Sequence, residues 1–236
     1  MADRDDAPKV PASEAAAPRE AFDSQLRAAA GTPAPEVHPL ERRLLELPPT
    51  LCLMSGLPAT GKSWYARRIG LALGAKVTSS DQRRLDLFGP RTPEEPRGPY
   101  DKGRYSPMAK QRVYDTLLED ARRGLGAGRS MIIDGSFLQR EWREPFVALG
   151  SELGVGFLLI TTNADEATVR RRLEARAHDP DEASEADWEV YQKLAAKIEP
   201  PAELSESQIL EIGAHATLEE SLTRLVERVV AQGNSR

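Results

Sequence analysis

The chain has 236 residues, of which 40% are hydrophobic and 29% charged, so it is long enough to bury a core and has a globular composition. The chain contains 32 lysine and arginine residues and 37 aspartate and glutamate residues. The resulting net charge of -5 argues against broad, charge-driven nucleic-acid binding. A single cysteine excludes an internal disulfide. The chain has no run of about 18 apolar residues, so no membrane span is predicted. The first ten residues are polar and acidic, so we expect no secretory signal and a cytoplasmic location.

The first 46 residues differ from the rest of the chain. They are rich in alanine and proline, contain one aromatic residue, Phe22, and show little apolar periodicity. Such a segment buries too little apolar surface to offset the entropy of ordering it. We therefore predict a disordered arm over residues 1–46 and a folded domain over residues 47–236.

The pattern changes at residues 50–55 (TLCLMS), a nearly continuous apolar run that is typical of a strand buried on both faces. A glycine-rich loop follows, and residues 62–73 have the apolar spacing of a helix. Further strands are predicted at 75–78, 130–134, 155–161 and 208–212, and further helices at 107–124, 140–153, 165–176, 186–197 and 218–231. Strands that alternate with helices indicate an α/β fold, with a parallel sheet covered by helices on both faces.

Residues 56–63 (GLPATGKS), the phosphate loop, match G-x-x-x-x-G-K-[ST] at every fixed position. The glycines allow the backbone to wrap a phosphate, and the following helix points its first N–H groups at the anion. A chance match is expected in fewer than about 1 in 100 chains, and the strand before the loop and the helix after it lower that further. We predict that a nucleotide triphosphate is bound by Gly56, Leu57, Pro58, Ala59, Thr60, Gly61, Lys62, Ser63 and Trp64.

The phosphate loop does not by itself define the reaction. No N-K-x-D motif that would read guanine is present, which favours ATP over GTP. A motor-type ATPase would have an apolar strand ending in adjacent acids, whereas residues 130–134 (SMIID) end in the single acid Asp134. A small kinase is the remaining strong option.

At this point the chain resembles the P-loop kinases of the polynucleotide kinase and zeta-toxin group, and the bacterial proteins described as predicted ATP-dependent kinases or AAA family ATP-binding proteins. The resemblance covers residues 50–201 and rests on LCLMSGLPATGKSWYARRI, TSSDQRRLDLFG, GRSMIIDGSFLQREWREPF, TTNADEATVRRRLEAR and DWEVYQKL with EPP. It implies a P-loop NTPase fold, a three-layer α/β/α sandwich with a mainly parallel five-stranded sheet and a helical lid. It also implies ATP and Mg²⁺ as cofactors.

Asp81 follows the second predicted strand, and a carboxylate at a strand's carboxyl end faces the ligand crevice of an open α/β sheet. In the resembled kinases the matching aspartate accepts the proton of the acceptor hydroxyl, which implies a catalytic role for Asp81. Arg84 matches an arginine that holds acceptor phosphate in the polynucleotide kinases. The competing interpretation is that Asp81 caps a helix beginning at Gln82.

Asp134 closes the third predicted strand, where an acid could reach Mg²⁺ through water or orient the acceptor. The Ser63 hydroxyl is the other expected ligand of Mg²⁺. For Asp134, the alternative is a solvated residue in an Asp-Gly turn.

Arg172 and Arg176 lie four residues apart on one face of a predicted helix. In the resembled family this stretch forms a lid whose arginines reach the transferring phosphates, which implies that both residues are catalytic. The alternative is a solvated helix face with weak ion pairs to nearby acids such as Glu166.

These residues together predict an ATP- and Mg²⁺-dependent kinase acting on a hydroxyl acceptor, either a small molecule or the 5′ end of a nucleic acid. The near-neutral charge of residues 47–236 favours the small molecule, whereas the basic and aromatic loop at 89–107 leaves the nucleic-acid end open. A partner-dependent ATPase or a nucleotide-binding regulator is the alternative. Cys52, Trp142 and Trp188 are predicted to be packing residues.

Overall fold

The computed structural model describes residues 49–89, 101–177, 186–213 and 216–234. The arm predicted at 1–46 lies outside these residues, as does most of the loop predicted at 89–107. Within the described ranges, no helix is long and apolar enough to cross a membrane.

Strands and helices alternate along the described chain. The strands are β1 (Thr50–Ser55), β2 (Lys76–Ser79), β3 (Met131–Asp134), β4 (Gly156–Thr162) and β5 (Ile209–Ile212). The α-helices are α1 (Lys62–Leu73), α2 (Ser80–Phe88), α3 (Pro107–Gly126), α4 (Arg140–Glu152), α5 (Glu166–Ala177), α6 (Trp188–Ala195) and α7 (Leu218–Asn234). Short 3₁₀ turns lie at Gly103–Tyr105 and Glu206–Gln208.

The five strands form one sheet in the order β2-β3-β1-β4-β5, and every pair of neighbours is parallel. The predicted α/β class and parallel sheet are confirmed. Strand β1 is central and buried along its whole length, which explains why its sequence is a continuous apolar run and not an alternating one.

The two faces of β1 belong to two separate hydrophobic cores. Leu51 and Leu53 pack with residues of α3 and α4 on one face of the sheet. Cys52 and Met54 pack with residues of α1 and α7 on the other face. Burial raises the pKa of the Cys52 thiol to about 12, so this cysteine is a core residue, as predicted, and is not a nucleophile.

The same layering creates the crevice in which the site lies. Helix α1 leaves β1 on one face of the sheet, whereas α4 leaves the neighbouring strand β3 on the other face. Chain connections that diverge from adjacent parallel strands leave a gap at the carboxyl ends of those strands. The phosphate loop and the residues after β3 therefore meet at one gap.

Helix α2 begins at Ser80, and Ser79 caps it, because the Ser79 hydroxyl accepts a hydrogen bond from the Asp81 N–H at 3.2 Å. The interpretation that Asp81 caps a helix starting at Gln82 is therefore wrong. The Asp81 carboxylate instead pairs with Arg84.

A buried arginine joins α4 to the segment that follows α6. Arg143 is 1% exposed, and its guanidinium pairs with the Glu203 carboxylate while also donating to the carbonyl oxygens of Phe137 and Glu199. These contacts anchor the segment between α6 and β5 to the loop after β3.

Candidate functional site

The phosphate loop has a backbone shape that depends on its glycines. Gly56 has a φ of 148° and Gly61 a φ of 105°, and both values favour glycine. A Cβ at Gly56 would lie 2.7 Å from the carbonyl oxygen of Thr162, so the loop packs directly against the end of β4. The hydroxyls of Thr60 and Thr162 hydrogen-bond across this contact at 2.8 Å.

Lys62 turns back over the phosphate loop, where its ammonium donates to the Leu57 carbonyl oxygen at 2.7 Å. Burial lowers the pKa of Lys62 to about 8, although the charges of Asp134 and Asp81 act in the opposite direction. Among the described residues, no side chain caps the first N–H groups of helix α1. A buried cation beside uncapped helix N–H groups suits a phosphate chain.

Asp134 lies at the carboxyl end of β3 and is 5% exposed. Burial raises its pKa, and a hydrogen bond from the Ser63 hydroxyl and the charge of Lys62 act against this rise. Asp134 is therefore a buried acid in contact with the phosphate loop and not a solvated turn residue, so that alternative is wrong.

The donor set of Ser63 and Asp134 fits Mg²⁺, because both side chains offer oxygen atoms and touch each other beside the loop. No group of three or more His, Cys, Asp or Glu side chains that could hold a metal occurs among the described residues. Mg²⁺ would accordingly be held by one hydroxyl and one carboxylate, with the nucleotide phosphates and water completing the coordination.

Asp81 and Arg84 form an ion pair on the opposite side of the gap. Arg84 Nη1 donates to Asp81 Oδ1 at 2.8 Å, and the guanidinium stacks over the ring of Tyr105 at 4.6 Å. Arg84 is 9% exposed, whereas the Asp81 side chain is 35% exposed and can be reached from the cavity. The ion pair holds the Asp81 carboxylate in place beside the cavity.

Helix α5 touches the phosphate loop through Arg172, whose Nη1 donates to the Ala59 carbonyl oxygen at 2.9 Å. Val169 and Leu173 pack against Ala59 from the same helix. Arg170 instead pairs with Glu166 and stacks on Trp188, as the solvated-face alternative expects for that residue. The structure thus places Arg172 against the phosphate loop, whereas Arg170 is held by contacts with Glu166 and Trp188.

One cavity of about 1220 Å³ brings the predicted residues together. Those that line it are Pro58, Ala59, Thr60, Gly61, Lys62, Ser63, Trp64, Asp81, Arg84, Asp134, Arg172 and Arg176. Gly56 and Leu57, the first two residues of the loop, are not lining residues. Trp64 is 40% exposed, and its ring is covered by the Arg68 guanidinium at 3.6 Å.

Of the loop predicted at 89–107, the described portion contributes Asp101, Tyr105 and Pro107 to the cavity. Arg104 turns to the carbonyl oxygen of Gly89 at 3.0 Å. Lys102 is exposed and is not among the lining residues, and the other basic and aromatic residues of this loop, Arg91, Arg97 and Tyr100, lie outside the described residues.

Two residues of the cavity, Lys110 and Trp142, were not predicted as site residues from the sequence. Both line the cavity, and the Lys110 ammonium lies 4.1 Å from the centre of the Trp142 ring. Trp142 also packs on the core that was predicted for it, but its indole Nε1 is buried without a hydrogen-bond partner. No motif marks either residue, since Lys110 stands on a helix that the sequence identified only as amphipathic.

A family model described as an AAA domain matches residues 51–201, well over half of the chain. The chain belongs to the AAA domain family. Curated relatives of this AAA domain include uncharacterized proteins of Mycobacterium bovis and Mycobacterium tuberculosis, each 34% identical over 149 residues. The match covers 62% of this chain but 29% of each relative, so the chain spans less than a third of their length.

Solved structures share the fold of this AAA domain. A protein of Chloroflexus aurantiacus to which kinase activity is ascribed superposes with a TM-score of 0.61 at 16% identity, covering 79% of this chain and 98% of that one. Kti12 of Chaetomium thermophilum, in complex with ADP-AlF3, gives 0.56 at 14% identity, covering 78% and 98%. The APS kinase of Mycobacterium tuberculosis, with AMPPNP and APS, gives 0.54 at 16% identity, covering 78% and 98%. The predicted P-loop NTPase fold and the resemblance to P-loop kinases are confirmed.

Proposed function

We propose that this AAA domain is an ATP- and Mg²⁺-dependent phosphotransferase that moves the γ-phosphoryl group of ATP to a hydroxyl of a second substrate. The observation that carries the proposal is that Asp81, in the first turn of α2 just after β2, lines the same cavity as the phosphate loop. The cavity volume of about 1220 Å³ also exceeds the roughly 300–1,000 Å³ of single-ligand sites, which favours two substrates side by side.

The nucleotide side of the reaction is assigned to the phosphate loop. The loop N–H groups and the Lys62 ammonium bind the β- and γ-phosphates. Ser63 and Asp134 hold Mg²⁺, which when bound neutralises charge on those phosphates. Arg172 and Arg176 offer two further cations at the cavity wall for the charge that develops on the transferring group.

The acceptor side of the reaction is assigned to Asp81. As the acceptor oxygen bonds to the γ-phosphorus, its proton passes to the Asp81 carboxylate and the bond from the γ-phosphorus to the bridging oxygen breaks, so ADP leaves. Arg84 holds the carboxylate at the cavity, where it can take that proton. The acceptor is a small molecule or the 5′-hydroxyl end of a nucleic acid, and the requirement for ATP favours the cytoplasm.

The test is a transfer assay with γ-labelled ATP against metabolites, nucleosides and 5′-hydroxyl oligonucleotides. Asp81→Asn should lower transfer by about 10²–10⁴-fold, since the proton acceptor is lost, while ATP affinity stays within a few-fold. Asp86→Asn is the matched control, because Asp86 is an exposed acid on the same helix and, among the described residues, pairs only with Gln82 and Arg83 of that helix. Full transfer by Asp81→Asn would refute the assignment of Asp81.

The same assay distinguishes the alternative. A partner-dependent ATPase or a nucleotide-binding regulator would turn over or bind ATP without labelling any acceptor. Lys62→Ala should damage both nucleotide binding and turnover, and unchanged turnover in that variant would refute the assignment of the phosphate loop.

A further inference from the structure

Lys110 places an ammonium at the wall of the cavity. In the described part of the chain it forms no hydrogen bond or ion pair, and it contacts the faces of Trp142 at 4.1 Å and Tyr114 at 5.6 Å. Burial lowers its pKa to about 8, although the charges of Glu141 and Asp101 oppose that change. Ring faces offset only part of the cost of removing an ammonium from water, so this position is suited to a bound anion.

Arg84 is the second cation on this side, and it is also incompletely satisfied. One edge of its guanidinium is taken by Asp81, whereas its Nε is buried and has no hydrogen-bond partner. Arg84 and Lys110 line the same cavity and are close enough that the charge of Arg84 lowers the pKa of Lys110. Two cations therefore face one space beside the carboxylate that receives the acceptor's proton.

The acids around this space do not neutralise it fully. Asp81 is paired with Arg84, and Asp101 lies 3.4 Å from Lys197 Nζ. Glu141 lines the cavity but is exposed at the start of α4, and it forms no ion pair with Lys110. Among the described residues on this side of the cavity, the Lys110 ammonium thus lacks a paired carboxylate, so a bound anion would stabilise its charge.

We propose that the acceptor is a hydroxyl compound that carries an anionic group, a carboxylate or a phosphate, and that Lys110 binds that group while Asp81 takes the hydroxyl proton. Lys110 would act beside Arg84, whose role on the acceptor side the resemblance to polynucleotide kinases already implies. This inference rests on the proposed phosphotransferase function. Because Arg84 touches Asp81 directly, the anion and the reacting hydroxyl must lie close together in the acceptor. Hydroxy acids and compounds with neighbouring hydroxyl and phosphate groups meet that requirement, whereas neutral sugars and nucleosides do not.

Matched pairs of acceptors test the charge requirement. The pairs are a hydroxy acid and its amide, a sugar phosphate and its free sugar, and a nucleoside 3′-phosphate and its nucleoside. We expect at least about 100-fold higher kcat/KM for the anionic member, and the two anion series separate a carboxylate from a phosphate requirement. Equal use of neutral and anionic members would overturn the proposal.

A variant of Lys110 tests the residue. Lys110→Gln should raise the KM for the anionic acceptor by about 10–100-fold and leave the KM for ATP within about twofold. Lys193→Gln is the control, because Lys193 is an exposed lysine on α6 that does not line the cavity. An unchanged acceptor KM in Lys110→Gln would refute the assignment.

A binding experiment separates this inference from the proposed reaction. With Mg²⁺ and AMPPNP filling the phosphate loop, calorimetric titration with inorganic phosphate and with glycolate should show one anion bound per chain, and Lys110→Gln should abolish it. Such binding without transfer to any acceptor would support the anion site and contradict the phosphotransferase. No anion binding beside the bound nucleotide would overturn the site, whatever the activity.

Discussion

Binding of a nucleotide triphosphate to the phosphate loop should take up a proton at alkaline pH. In the free protein, burial lowers the pKa of Lys62 from 10.5 to about 8. A phosphate chain beside the ammonium stabilises its charged form and returns the pKa towards its ordinary value. Lys62 is therefore mostly neutral in the free protein at pH 9 and charged in the complex.

The size of the effect follows from the pKa of about 8 for free Lys62. At pH 9 such a group is roughly 90% deprotonated, so binding should take up about 0.9 proton, against about 0.1 at pH 7. Nucleotide affinity should fall about tenfold over the same interval, which corresponds to about 1.4 kcal/mol.

The assay is calorimetry with Mg²⁺ and AMPPNP in buffers of different ionisation enthalpy, which gives the protons taken up per nucleotide bound. Lys62→Met should abolish the extra uptake at pH 9 and bind the nucleotide weakly at every pH. Lys110→Gln is the control, because Lys110 also has a pKa lowered to about 8 but lies on the proposed acceptor side, so proton uptake by this variant should match that of the unmodified protein. Equal proton uptake at pH 7 and pH 9 in the unmodified protein would refute the reasoning.

Three further substitutions test the loop, helix α5 and the core. Gly56→Ala places a Cβ 2.7 Å from a carbonyl oxygen of β4, so it should cost about 1–3 kcal/mol of stability and at least tenfold in nucleotide affinity, whereas Gly126→Ala meets open space and should be near neutral in thermal unfolding. Arg172→Gln should lower kcat about 10²–10⁴-fold with a smaller change in nucleotide affinity, and an unchanged kcat would exclude a role in transfer. Arg143→Met strands the buried Glu203 carboxylate and should cost about 3–5 kcal/mol in urea unfolding, with partial recovery on adding Glu203→Gln.

The parts of the fold that the sequence predicted are those with local signals. Strand β1 shows as a continuous apolar run because the sheet covers both of its faces, and the phosphate loop shows because its own glycines and lysine build it. The positions of Asp81 and Asp134 beside the cavity follow from the sequence for a similar reason, since Asp81 comes two residues after the end of β2 and Asp134 ends β3. For such residues, position in the chain fixes position in the fold.

The capping of α2 shows where local signals are not sufficient. Ser79, Ser80 and Asp81 are all residues that favour helix caps, so sequence alone does not decide between them. The choice is made by Arg84, which is held against the Tyr105 ring and draws the Asp81 carboxylate into an ion pair. Ser79 then caps the helix, and the carboxylate remains at the cavity.

The two lysines of the cavity show the same limit in the chemistry of the site. Burial lowers the pKa of each to about 8, so each position is costly to keep charged until an anion arrives. Lys62 is found from sequence because the motif that identifies it consists of its neighbours in the chain. The surroundings of Lys110 come from α2, the turn before α3, and α4, and only folding brings them together. An acceptor site assembled in this way has no motif, which is why one fold can serve many acceptors while its phosphate loop stays recognisable.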